Sequence, residues 1–176
     1  IQGVSYPDLT RDELRNQIPG YKSKYTTYES FADETIGDIF TEEELVSANK
    51  LKINELKTSV FVSQDGKYKK VDLPVEAQFA PVYAINILDY DKDGNPDLLL
   101  CGNNSSMKLR LGKADANYGM LFRGDGKGKF SYIIQMSSGL NLTGDIRKII
   151  QIDNLFLFAR NQSTVKAYQL KTQPLQ

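Results

Sequence analysis

Hydrophobic positions change their period part-way along this chain. From Asp8 to about Lys57 they recur at helical spacing, broken by polar runs that carry helix-start signals. "LTRDEL" offers Thr10 as an N-cap with Glu13 three residues on, a capping box, and Pro19-Gly20 closes that short helix. "FTEEELVSANKL" repeats the logic with Thr41 and Glu44, and its acidic first turn suits the helix dipole. Between them Tyr21, Tyr25 and Tyr28 lie at helical spacing. That spacing assigns them to the buried face of an amphipathic helix rather than to a stacking platform for sugar or peptide.

From about Leu56 onward the pattern is that of short strands and turns. "TSVFVSQDGKYKKVDL" reads as two strands joined at Gln64-Asp65-Gly66. "VYAINILDY" is rich in branched and aromatic residues, and "PDLLLCG" is a short apolar run that predicts a buried strand. "YGMLFRGDGKGKFSYIIQM" is a second hairpin, and "DIRKIIQI", "LFLFAR" and "VKAYQL" supply further strands. Short strands with frequent Gly and Asp turns predict sandwich or propeller sheets. An internal repeat supports this. "VFVSQDGKYKKV" resembles "MLFRGDGKGKFSYI", with turn glycines Gly66 and Gly126 about 60 residues apart, a blade-scale period. "VYAINILDYDKDGNPDLLLCGN" aligns with "DIRKIIQIDNLFLFARN", where the acidic loop has shrunk to Asp153-Asn154. The loop is therefore an addition to the sheet unit and not a requirement for it.

That loop carries the candidate chemistry. Counting from Asp89, carboxylates fall at positions 1, 3, 5 and 9 (Asp89, Asp91, Asp93, Asp97) and Gly94 at position 6. Alternate residues of a tight loop can turn inward to one point, and glycine permits the positive φ that wraps the chain around it. Lys92 is the only base within the loop, so four mutually repelling carboxylates call for a cation. Hard oxygen donors suit Ca²⁺, whereas Mg²⁺ usually keeps several waters. The expected ligands are the side chains of Asp89, Asp91, Asp93 and Asp97, the Asn95 backbone carbonyl at position 7, and water. An EF-hand would need glutamate at position 12, which is Leu100, and flanking helices. A calcium loop between two strands fits better.

These residues resemble a family. "DYDKDGNPDLLLCGN" is similar to the calcium loop of FG-GAP/VCBS repeats, the blades of integrin-alpha-type β-propellers, and "FRGDGKGKF" to the hairpin that follows it. From about Pro7 to Tyr168 the chain resembles the carboxy-terminal part of bacterial secreted VCBS-repeat proteins, often joined to an ASPIC/UnbV domain. The resemblance implies a helical segment over 1–55, then antiparallel blade-like sheets of a partial β-propeller over 56–176. A propeller of this type has about seven blades, so the chain is expected to be a piece of a longer one. The loop lost from the second repeat implies one calcium ion, not several.

Composition narrows the function further. Lys+Arg and Asp+Glu balance at 22 each, so no general attraction to nucleic acid is expected. The absence of histidine removes histidine-based catalytic pairs and histidine-ligated zinc from this chain. The single cysteine, Cys101, is expected to be a small buried hydrophobe. No apolar run is long enough to span a membrane, and the start at Ile1 reads as a mature or excised fragment. Arg123-Gly124-Asp125 reads as turn chemistry rather than as an adhesion motif, and "GDGKGKF" lacks the spacing of a phosphate loop. Sequons at Asn103, Asn104, Asn141 and Asn161 matter only in a eukaryotic secretory setting. No catalytic residue is assigned, because acids that hold calcium do not serve as free proton donors. The expectation is a calcium-stabilised, non-catalytic binding or surface-interaction module of an extracytoplasmic protein, acting on an unknown protein or glycan. Its rivals are a glycan-binding module and an accessory domain of a polysaccharide-processing enzyme.

Overall fold

The computed structural model describes residues 3–171. The chain divides into two compact units, Ile1–Asn54 and Glu55–Gln176.

In the first unit there are three short helices, two of them where the capping boxes at Thr10 and Thr41 predict them. Thr10 starts α1 (Arg11–Gln17): its hydroxyl accepts from the Glu13 N–H, and the Glu13 carboxylate accepts from the Thr10 N–H at 2.8 Å. Thr41 and Glu44 repeat this at α3 (Glu42–Ser47). A third box, Thr35 with Asp38, starts α2 (Ile36–Ile39). The continuous helix expected through the tyrosines does not form. Pro19 opens a 3-10 turn, Pro19–Lys22, and the chain then runs through bends to a second such turn, Glu29–Phe31. Thr26 and Thr27 are β-branched and poor at extending a helix across that gap. Tyr21 and Tyr25 still stack at 6.0 Å, and Tyr25 joins Leu14 and Ile39 in the core. Tyr28 stays outside, its ring under Arg11 and its hydroxyl donating to Asp12. Helix also fails beyond Ser47. Leu51, Ile53 and Leu56 are exposed, and a short helix without a buried face has little to hold it.

The second unit is mainly β. Among the described residues, nine strands form three antiparallel sheets. Strands β1 (Ser59–Gln64) and β2 (Lys67–Asp72) form a hairpin, with Asp65 and Gly66 at φ 51° and 72° in a two-residue turn. Strands β3 (Val82–Leu88), β4 (Asp97–Gly102), β5 (Met120–Gly124) and β6 (Phe130–Ile133) form a four-stranded meander. Strands β7 (Ile146–Ile152), β8 (Leu155–Arg160) and β9 (Lys166–Gln169) form the third sheet. A short helix α4 (Gln135–Ser138) follows β6.

The repeat reaches down to irregularities of register. The pairing of β3 with β4 slips between Val82 and Ala84, and that of β7 with β8 slips between Ile146 and Lys148. In each, an asparagine N–H closes the hairpin on a carbonyl: Asn103 on Pro81 at 3.1 Å, Asn161 on Asp145 at 2.8 Å. Gly102 is required there, since a Cβ would lie 1.7 Å from the Pro81 carbonyl oxygen.

The meander is buried on both faces. One core packs Leu98, Leu100, Met120 and Phe122 against Leu73, Ala77 and Val60 from around β1–β2. The other packs Ala84, Leu99, Cys101 and Leu121 against Ile146, Phe156 and Phe158 of β7–β8. All of β4 is buried, as a strand between two cores must be. Burial pushes the Cys101 thiol up to about 12, so it is an inert core group. Among the described residues, no helix is long and apolar enough to cross a membrane.

Candidate metal centre

The acidic loop joins the end of β3 to the start of β4, and its backbone is folded back by two left-handed residues. Gly94 has φ 83°, as its place in the sequence requires, and Lys92 has φ 61° despite its side chain. The Asp89 carboxylate occupies the concave side. Its oxygens accept from the N–H of Asp93 at 3.1 Å and of Gly94 at 3.0 Å. One carboxylate oxygen each from Asp89, Asp91 and Asp97 lies within 4.8 Å of the others, a cluster that could hold a metal ion.

Asp97 anchors the site. It is fully buried, and its two oxygens accept from the N–H of Tyr90 and of Gly124, both at 2.9 Å. One side chain thereby ties the loop start to the end of β5. Burial holds its carboxyl above the ordinary aspartate range, and Asp91 and Asp93 push the same way against those two donors.

Asp93 does not join the cluster. Its carboxylate accepts from the Asn95 N–H at 2.8 Å, which with Arg123 holds its pKa below the usual value. Sequence reasoning also left Lys92 as the only base nearby. The structure corrects that: Arg123 reaches over from β5, 2.8 Å from Asp91 and 3.2 Å from Asp93. Nothing in the local spacing signals this contact, since Arg123 follows Asp93 by thirty residues. The hairpin repeat alone hints that this segment neighbours the loop.

The β5–β6 turn is built to receive the loop. A Cβ on Gly124 would meet the Pro96 carbonyl oxygen at 2.1 Å, and one on Gly126 would meet Asn95 Oδ1 at 2.3 Å. The Asn95 side chain thus packs on the turn. Asp125 closes the turn by accepting from the N–H of Lys127 and Lys129. The Arg-Gly-Asp tripeptide is therefore divided in use: Arg123 serves the acidic loop, Gly124 is buried in β5, and Asp125 caps the turn.

The donor chemistry suits a hard cation: three carboxylates converge, on a loop pinned at both ends. The predicted set is thus brought together at Asp89, Asp91 and Asp97, with Asp93 and Asn95 on the rim. The sequon asparagine Asn103 is buried, its amide donating to the carbonyls of Asn117 and Gly144, and cannot carry a glycan. Comparison of the chain with family models, with curated proteins and with solved structures found no match.

Proposed function

We propose that the second unit is a group of β-propeller blades of FG-GAP/VCBS type, stabilised by one calcium ion, in a non-catalytic binding module of an extracytoplasmic protein. The convergence of Asp89, Asp91 and Asp97 carries this reading. The meander β3–β6, covered on both faces by neighbouring sheets, is the arrangement a blade needs. The ion would be held by these three carboxylates, with the Asn95 carbonyl, Asp93 and water completing the shell. Its chemistry is charge neutralisation: it would fasten the end of β3 to the start of β4 and, through Asp97, to β5. Extracellular calcium modules work at millimolar calcium, which supports a place outside the cytoplasm. The rest of a longer propeller chain is then a neighbour, alongside the protein or glycan partner.

Thermal melting tests the site. Calcium added to EDTA-treated protein should raise the melting temperature, by about 2.7 kcal/mol of stability at a hundredfold excess over Kd. Asp89→Asn should remove the rise, while Asp65→Ala in the β1–β2 turn keeps it. Equal responses of the two variants would reject the ligand set.

A glycan partner has one observation in its favour. Phe79, Tyr118 and Tyr132 line a groove together with Glu76 and Gln135, and stacking rings beside polar groups suit a sugar. Binding on a glycan array that is lost in Tyr118→Ala would select this partner class; binding unchanged by that substitution would reject the groove.

A further inference from the structure

The groove lined by Phe79, Tyr118 and Tyr132 carries charge of one sign only. Glu76 lines it beside the three aromatic residues, and no lysine or arginine does. Glu76 is half-buried, and it forms no ion pair among the described residues. A carboxylate left without a counter-charge beside aromatic rings complements a positive ligand, because ring faces also attract a cation.

Three separate elements hold the lining in place. Glu76 lies in the 3-10 turn Val75–Gln78, and Phe79 follows it directly. The Gln78 side chain pins that turn: its amide oxygen accepts from the Thr58 N–H at 2.7 Å, and its amide nitrogen donates to the carbonyls of Thr58 and Leu73. Tyr118 leads into β5, and its carbonyl accepts from the Leu142 N–H at 2.9 Å. Tyr132 lies on β6 with its ring 5.5 Å from that of Phe122. Met120, buried at the start of β5, completes an apolar lining.

Size and chemistry narrow the cation. The groove measures about 160 Å³, close to the ~150 Å³ of an apolar cavity that takes a benzene ring. A trimethylammonium head is smaller than benzene and fits. A primary ammonium is strongly hydrated and brings N–H donors that each need a partner, whereas a quaternary nitrogen presents only methyl groups to the rings. A neutral sugar would stack on the same rings, but it would leave the Glu76 charge uncompensated.

We infer that this groove binds a small organic cation of the trimethylammonium class, its methyl groups against the rings and its charge facing Glu76. The inference rests on the groove alone and not on the calcium ion or the blade reading, and it gives the groove a charged ligand in place of a neutral sugar.

Isothermal titration of the whole chain with choline, in EDTA, tests it. The expected result is saturable binding, about fivefold or more tighter than that of the uncharged analogue in which carbon replaces the nitrogen. Glu76→Gln keeps the side-chain volume and removes the charge; it should weaken choline binding by about fivefold and leave the uncharged analogue unaffected. Tyr118→Ala should weaken choline binding at least as much, with the circular dichroism of the parent chain, and Asp65→Ala in the β1–β2 turn should bind as the parent does. No saturable choline binding, equal affinity for the uncharged analogue, or a Glu76→Gln chain that binds like the parent would overturn the inference. Binding of glucose more tightly than choline would overturn it too and return the groove to a sugar. None of these outcomes bears on the calcium-induced melting shift, so the groove and the metal site stand or fall separately.

Discussion

Arg123 is an exposed side chain, yet it gives the acidic loop its charge balance through ion pairs to Asp91 and Asp93. A cation held by Asp89, Asp91 and Asp97 and this guanidinium would compete for the Asp91 carboxylate. Arg123→Gln should therefore raise calcium affinity by roughly twofold to fivefold, the range expected of a solvent-exposed pair, as measured by isothermal titration. An unchanged or weakened affinity would mean that the arginine helps to shape the site. Asp145 provides a second test. Burial raises its pKa, but the Ser105 N–H and hydroxyl and the Arg147 guanidinium outweigh this and hold it below the ordinary 3.8. The folded value lies under the unfolded one, so this carboxylate contributes stability above the unfolded value that is lost as pH falls through the folded value. Asp145→Asn should cost about 1–3 kcal/mol at neutral pH and flatten the acid limb of a stability-versus-pH curve.

At the scale of elements, the β5–β6 turn and the acidic loop act as one piece. Gly126 has φ 69° and faces Asn95 so closely that any side chain must displace it. Gly126→Ala should lower stability by about 1 kcal/mol or more and weaken calcium binding with it, readable as a reduced calcium-induced melting shift. The hairpins themselves were legible in the sequence, because strand alternation and Asp-Gly turns are local signals. The repeat predicted two sheet units; the structure has three sheets, of two, four and three strands, among which the β3–β4 and β7–β8 pairings share a register slip at Val82/Ala84 and Ile146/Lys148. The tyrosine segment misled, since i, i+4 aromatic spacing can serve a core through 3-10 turns as well as through a helix.

At the scale of the whole molecule, each unit owns its core: Leu14, Tyr25 and Ile39 in the first, the two flanks of the meander in the second. The stretch around 48–57 carries no helix or strand. A protein comprising residues 55–176 alone should accordingly melt cooperatively and keep its calcium-induced shift. A fragment without a cooperative transition would show that the first unit is needed for folding. Within the second unit, Phe158 is fully buried between sheets, and Phe158→Ala should cost about 3–5 kcal/mol by denaturant titration.

The capping boxes at Thr10 and Thr41, the hairpin turns, the buried run Leu98–Cys101 and the calcium-like spacing of Asp89, Asp91 and Asp97 were all determined by sequence. Each depends on residues a few positions apart, whose geometry the backbone dictates. Tertiary structure alone decided that Arg123 would cross to the loop and that one oxygen of Asp97 would be taken by the N–H of Gly124. Those outcomes require strands far apart in the chain to be laid side by side, and burial of the Leu and Phe residues between sheets, not any local pattern, chooses which strands meet.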